Sequence, residues 1–500
     1  MKKLVLLRRI SQALFLGLFV YILWSTTYPL GGGISPRILF NLDPALMIFT
    51  AVSERLLLPG LVFAFLMIGA TFILGRFFCG WVCPLGTVID AFGSLRKKNA
   101  RDLSWLNNRR LKNIKYVFLG IFFLLAVAGF QAVWVMDPVV TAARVVSLNV
   151  IPAVTFAADR GFVWLIQRFG LYGGFYDFYR GLKAGVLGVR IVFFANALIT
   201  FIYFLVIGFL SLVVARLWCR ALCPLGALYS LVALFSRLER KVDACNGCGL
   251  CRRNCRMGAI REEGDYDKGE CVLCMDCVYD CPTGKTRFAF KGAAVPALAA
   301  PAAGSKGMTR RSFLWLMASS FLSLGGRWAP AARRRVIRPP GAVEEAGFLN
   351  TCVRCGNCMK VCVTNGLQPV MLESGRQGLW TPRLVPEIGY CEYNCTLCGQ
   401  VCPTGAIPRL SREAKKQVRM GLARVDRSLC LAWAHNEPCI VCEEHCPVAD
   451  KAIKLDIVRV HGRDVSRPVV DRALCIGCGI CQNKCPVSPE RAIRVEAFVP

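Results

Sequence analysis

The sequence predicts an α-helical membrane domain of four to five transmembrane helices joined to two small, cysteine-rich α+β modules. Three observations carry that expectation. The chain is too apolar for an ordinary soluble protein, with 55% hydrophobic residues and a mean hydropathy of +0.46. Four runs, 10–28, 56–74, 116–136 and 191–215, each approach the ~20 apolar residues that cross a bilayer. All 28 cysteines stand in closely spaced groups, which in a long chain is the pattern of metal ligands rather than of a disulfide framework.

The first run follows Lys2, Lys3, Arg8 and Arg9, with no small-residue cleavage site after it. It therefore reads as an uncleaved anchor. Between the first and second runs the only basic residues are Arg37 and Arg55. Between the second and third there are nine, from Arg76 to Lys115. Arg216, Arg220, Arg237, Arg240 and Lys241 follow the fourth. The positive-inside rule then puts the N-terminus, 75–115 and residue 216 onward in the cytoplasm, and 137–190 outside. Residues 291–307 are an Ala/Pro/Gly linker, and MTRRSFLWLMASSFLSLGG at 308–326 has twin arginines before a short apolar run, like an export signal. The expected domains are 1–241 in the membrane, 242–290 as a first cysteine module, 291–339 as linker with a fifth apolar segment, and 340–500 as a second module. The fifth segment is read as a span that carries the second module outside; the alternative is an interfacial helix with both modules in the cytoplasm.

Cys245, Cys248, Cys251 and Cys255 are followed by Cys271, Cys274, Cys277 and Cys281, then Pro282. This is the two-cluster bacterial ferredoxin run, in which three cysteines on one loop hold three corners of an Fe4S4 cube and the fourth crosses to the other cube. Cluster 1 is thus expected on Cys245, Cys248, Cys251 and Cys281, and cluster 2 on Cys271, Cys274, Cys277 and Cys255. Zinc sites are isolated C-x2-C pairs taken in twos, which two linked runs do not resemble. Four further groups follow: Cys352, Cys355, Cys358 and Cys362; Cys391, Cys395, Cys398 and Cys402; Cys430, Cys439, Cys442 and Cys446; Cys475, Cys478, Cys481 and Cys485. Sixteen thiols suffice for four more cubes.

Four cysteines remain, in a repeated phrase. RFFCGWVCPLG at 76–86 returns as RLWCRALCPLG at 216–226. On a helix, Cys79 and Cys83 share a face, as do Cys219 and Cys223, and the proline after each pair is expected to end the regular hydrogen bonding. Two such ends brought together would hold a seventh cluster at the cytoplasmic membrane edge. Buried free thiols or two disulfides are the alternatives, the latter disfavoured in the cytoplasm.

Two spans ending in C-x3-C-P before an eight-cysteine module resemble the NapH/MauN-type membrane polyferredoxins, which are quinol dehydrogenase subunits. RRSFLWL followed by four cysteine groups is similar to the NapG/MauM-type four-cluster ferredoxins, which in that family are separate exported proteins. Together the resemblances span 1–290 and 308–500, so this chain looks like a fusion. Four-group ferredoxins of this layout commonly pair outer with outer and inner with inner. That implies Cys352, Cys355, Cys358 and Cys485 for cluster 3, Cys475, Cys478, Cys481 and Cys362 for cluster 4, Cys391, Cys395, Cys398 and Cys446 for cluster 5, and Cys430, Cys439, Cys442 and Cys402 for cluster 6. Sequential pairing is the alternative.

The three histidines, His435, His445 and His461, lie outside the apolar runs and no C-x-x-C-H occurs, so no haem is expected. No nucleotide-binding fingerprint is present. The net charge of +30 is read as a basic shell for anionic clusters and as cytoplasmic loops; nucleic acid is not an expected partner. The resemblance implies quinone as diffusible substrate, membrane lipid as surroundings, and other redox subunits (a cytochrome, reductase or dehydrogenase) as partners. Asp90 and Asp137, ionisable residues at membrane edges, are weak candidates for a quinone site; Trp81 and Trp134 read as interface anchors. The expected function is electron transfer between the quinone pool and a partner in a bacterial or archaeal inner membrane. The alternatives are a pure conduit from a cytoplasmic donor to a periplasmic acceptor, and a redox-linked regulator.

Overall fold

The structure is a computed structural model that describes residues 2–28, 30, 34–55, 60–95, 109–188, 192–243, 245–261, 265–291, 336–371, 373–460 and 462–498. The fifth apolar segment, 313–326, and its twin arginines lie outside the described residues. The chain packs as two compact units, each assembled from three stretches. One comprises Met1–Tyr21, Ile38–Ala142 and Phe201–Ala331; the other comprises Ile22–Arg37, Ala143–Thr200 and Ala332–Pro500.

The first unit is mainly helical. The described helices are shorter than the expected runs. Run 56–74 holds the 14-residue helix Leu61–Leu74, and run 191–215 holds the 17-residue helix Ala197–Val213. Run 116–136 is the end of helix Arg109–Val127, closed by Gly129 at φ 79° and followed by a 3-10 turn at Val133–Val135. Among the described residues two helices are long and apolar enough to cross a membrane, Lys3–Trp24 and Pro138–Phe169. The second was read as part of an external loop. It is continuous because its helix passes through a π turn at Val146–Val150 without breaking. A two-stranded antiparallel sheet closes the first cysteine module, β1 Leu238–Val242 pairing with β2 Thr286–Phe290.

The second unit holds three more antiparallel pairs, each two strands: β3 Leu367–Pro369 with β4 Pro382–Leu384, β5 Gly421–Val425 with β8 Ile493–Ala497, and β6 Ile453–Val460 with β7 Arg463–Val470. Short helices between them follow the cysteine loops. Residues of 143–200 pack into this unit. Arg144 Nε donates to the Arg354 carbonyl at 2.9 Å, and Ser147 Oγ to Asn357 Oδ1 at 3.1 Å. Asn365 Nδ2 donates to the Phe193 carbonyl at 2.8 Å. The linear domain boundaries therefore do not coincide with the packing units.

Candidate iron–sulfur sites

The repeated phrase builds its four thiols from two nearly equivalent turns. Cys79 lies in the helical turn Phe77–Trp81, and Cys219 in a π turn, Trp218–Leu222. Cys83 and Cys223 are not on those turns. Each is the N-cap of the next helix, Pro84–Ser94 or Pro224–Ala233. The prolines thus start a helix instead of ending one, because the first helical position needs no N–H and suits a fixed φ. The glycine two residues after each proline donates its N–H to the capping sulfur, Gly86 at 3.3 Å and Gly226 at 3.2 Å. A Cβ there would sit 3.0 Å from the Cys79 carbonyl oxygen or 3.3 Å from that of Cys219, so the Gly of C-P-L-G is a matter of space. All four thiols are free, 4 to 8% exposed, and close enough to act on one another electrostatically.

Sequence reasoning missed the two arginines that open the phrases. They cross over: Arg76 Nη2 donates to the Cys219 carbonyl at 3.4 Å and Arg216 Nη1 to that of Cys79 at 2.9 Å. Arg216 is held by both oxygens of Asp90, at 2.7 Å each, and Arg76 by Glu270 at 3.2 Å. Their identical place in the repeat was the signal. Asp90 also accepts from Gln12 at 2.9 Å and faces Arg256 at 3.3 Å. These cations hold its carboxyl well below the usual range despite its burial, so Asp90 is an ion-pair anchor and a poor proton acceptor. Asp137 is wholly buried and caps its helix through the N–H groups of Val139 and Val140, both at 2.9 Å. Trp134 is 5% exposed, and Trp81 donates to the Leu273 carbonyl at 2.9 Å.

In the first cysteine module, Cys255 is close enough to Cys271, Cys274 and Cys277 to act on each electrostatically, and Cys251 on Cys277. Arg8 donates to the Cys274 carbonyl at 2.9 Å. Lys115 and Arg76 both bind Glu270, whose carboxyl they keep low against its burial. Cys245 and Cys248 are exposed. Cys281 is drawn down to about 6 by hydrogen bonds from Thr283 and Thr286.

In the second unit sixteen thiols line four cavities. Cys352, Cys355 and Cys358 share theirs, about 20 Å³, with Cys402. Cys391, Cys395 and Cys398 share about 30 Å³ with Cys362. Cys430, Cys439 and Cys442 meet Cys485, and Cys475, Cys478 and Cys481 meet Cys446. The outer-with-outer pairing is therefore corrected: Cys485 is not with the 352 group, nor Cys362 with the 475 group, nor Cys446 with the 391 group, nor Cys402 with the 430 group. The reason is helix packing. Asn357–Lys360 packs on Leu397–Val401, and Val441–Glu444 on Ile480–Lys484, so each group's last cysteine enters its sequential neighbour's cavity. The Cys391 N–H donates to the Cys478 carbonyl at 2.8 Å and joins the two pairs. The four cavities run in the order 352, 391, 475, 430.

The loops show why spacing matters. In the groups spaced x2, x2, two residues take left-handed backbone: Gly247 and Gly249, Leu273 and Met275, Arg354 and Gly356, Gly477 and Gly479. Three of these are not glycine, an uncommon conformation that clusters at functional sites. The stretched groups lack that pair at the corresponding turn: Thr396 and Ile440, which precede their short helices, have φ −128° and −116°. Burial pushes Cys355, Cys391 and Cys442 up to about 12, so iron must displace protons there. Among the described residues no three His, Cys, Asp or Glu side chains converge on a single ion. A lone zinc needs sulfurs 2.3 Å from one point, whereas these thiols surround hollows. The donor set fits Fe4S4 cubes.

The family described as 4Fe-4S binding domain matches 56–101 and 196–242, which enclose both C-x3-C-P pairs, and a second such family matches 468–489. A family described as NosR matches 243–283. The methylamine utilization ferredoxin-type protein MauM of Methylorubrum extorquens is 37% identical over 171 residues, 33% of this chain and 75% of that protein. The chain belongs to the MauM/NapG family of ferredoxin-type proteins. Ferredoxin-type protein NapG of Escherichia coli is 39% identical over 166 residues, 32% of this chain and 69% of NapG. NapF of the same organism is 34% identical over 167 residues, 33% of this chain and 88% of NapF. No solved structure matches. This MauM/NapG-type chain is an iron–sulfur electron-transfer protein.

Proposed function

We propose that the chain is a membrane-bound electron-transfer subunit that passes electrons between the quinone pool and a partner redox protein, as a quinol dehydrogenase component. The observation that carries this is the file of four thiol-lined cavities in one unit, which serves relay and no bond-making chemistry. Fe4S4 clusters, when bound, supply one-electron carriers. Cys245, Cys248, Cys251 and Cys281 hold the first, and Cys255, Cys271, Cys274 and Cys277 the second. The four cavities hold four more, and Cys79, Cys83, Cys219 and Cys223 a seventh. Arg76 and Arg216 compensate buried negative charge at the quartet.

Packing supports a location for each module. Residues 143–200, on the outer side by basic-residue count, pack with the four-cavity module, which is then periplasmic. Arg76 and Lys115, counted inside, pair with Glu270, so the first module is cytoplasmic. The anchors are helix Lys3–Trp24 and the shorter apolar helices Leu61–Leu74 and Ala197–Val213, with 308–326 as a further segment. The partners are other subunits of a redox complex.

Anaerobically purified chain should contain about 24 iron atoms or more, four for each of six clusters, and quinol should reduce them. Zinc in place of iron, or clusters that dithionite reduces and no quinol does, would sink this reading. A reporter fused after Pro500 checks the side of the second module.

A further inference from the structure

One cavity among the described residues is walled mainly by apolar side chains instead of by a set of four thiols. It measures about 140 Å³ and lies within the second unit. Ile151, Leu187, Val192, Val361 and Val363 give it an apolar wall. Thr27 and Thr155 also line it, their hydroxyls donating to the carbonyls of Trp24, Ile151 and Pro152 and so left to accept from a ligand, and Tyr28 is exposed at the rim. Cys362 and Val363 line this cavity and also the hollow shared by Cys391, Cys395 and Cys398. One wall therefore has a redox centre's own ligand behind it.

A concave apolar pocket with a few polar groups is the usual form of a small-molecule site. Here the neighbour narrows the class. A structural lipid would gain nothing from standing against a cluster ligand, whereas a redox-active aromatic diol would. Lys360 lines the same cavity, but its ammonium is already engaged. It donates to the carbonyls of Leu23 and Trp24 and to Thr26 Oγ1, so only its aliphatic stem is offered to a ligand. The site thus suits an uncharged ring whose hydroxyls meet Thr and Tyr side chains, and it is poorly built for an anion.

We propose that this cavity is the quinol-binding site, with the ring seated against the Cys362–Val363 wall. The inference rests on the quinone reading above. In the step, both O–H bonds of the quinol break and it becomes a quinone. Its two electrons would leave one at a time past Cys362 to the one-electron carrier that Cys362, Cys391, Cys395 and Cys398 would hold, and its two protons would leave to water at the Tyr28 rim. Neither Asp90 nor Asp137 takes part.

The test uses the full chain with its clusters in lipid nanodiscs. The probe is heptyl-hydroxyquinoline N-oxide, a quinone-site analogue whose fluorescence is quenched on binding, paired with a photoreactive azido-quinone. The wild type should quench the probe, and the azido-quinone should label peptides containing Thr155, Val192 or Val363. Val192→Phe and Leu187→Trp, which fill the cavity from different sides, should each weaken quenching at least tenfold with iron content and dithionite-reduced spectra unchanged. Two variants guard against one misfolding. If both bind the probe like wild type, or the label falls near Asp137, the cavity assignment is overturned while the quinone reading stands. If wild type binds neither probe and quinol does not reduce it, both fail together.

Discussion

Within the first cysteine module the two sets of four live in opposite surroundings. Cys255, Cys271, Cys274 and Cys277 stand where Arg8, Arg76, Trp81 and Lys115 reach the loop backbone or Glu270. Cys245 and Cys248 are exposed. Acidity follows environment. Burial pushes Cys271 up to about 12, whereas hydrogen bonds draw the lightly buried Cys281 down to about 6. A thiol near 6 offers a thiolate at neutral pH; one near 12 must lose its proton to iron. The set around Cys271 is the inner one, half-buried as Cys251 and Cys281 also are, whereas Cys245 and Cys248 stand open to solvent.

The largest effect should come from the thiol quartet against which the inner set is docked. Cys219→Ala should bring quinol-driven reduction of the first module to background and remove about one cluster's iron, roughly four atoms. Both soluble modules should stay reducible by dithionite. Retained quinol reduction, followed by electron paramagnetic resonance, would remove the quartet from the path.

Next is the ion pair behind it. Asp90→Asn strands Arg216, which is 1% exposed. Removing one partner of such a buried pair costs about 3–5 kcal/mol. Since the folded carboxyl lies below its unfolded value of about 3.9, the pair's stabilisation is present above that pH. It is lost as pH falls through the depressed value, so the variant should show less of the wild type's acid-induced weakening. Denaturant midpoints of cluster absorbance at several pH values check both points.

A third change acts on contact alone. A Cβ on Gly80 would lie 2.1 Å from the Val272 carbonyl oxygen. Gly80→Ala should cost about 1–3 kcal/mol, the usual range for overpacking. It should also make the Cys271 loop easier to cleave by protease, while cleavage near Cys245 stays the same.

The sequence made the ligands legible and left the partners dark. Every thiol was placed in a group by spacing alone, because a loop that wraps a cube fixes local distances. Pairing depends on which short helices pack together, and Cys402 carries no mark of whether it joins Cys352 or Cys430. The prolines of the repeated phrase were legible as punctuation but not as to which helix they bounded. Arg76 and Arg216 were visible as repeats, but their crossing to the opposite carbonyl needs the two turns side by side. Glu270 gave no sign, because only folding brings Arg76 and Lys115 to it. Helix Pro138–Phe169 was missed because counting basic residues between runs placed 137–190 outside without asking what helix it could form.

The smallest effect concerns Arg256, which stands where the first motif would carry its proline. Its Nε donates to Asp276 at 2.5 Å and its Nη1 faces Asp90 at 3.3 Å, with the side chain 28% exposed. The guanidinium ties the Cys255 end to the loop that bears Cys274 and Cys277, a link a proline ring could not make. Partial exposure lets water screen it, so Arg256→Gln should cost about 1 kcal/mol or less. That is well under the Asp90 variant, although both touch the same network. The reading is iron release to a chelator over time. Faster loss from the Cys271 set alone would show that the arginine clamps the inner site. Equal loss from both sets would mean the missing proline has no local substitute, and the two halves of the module would then differ only in burial.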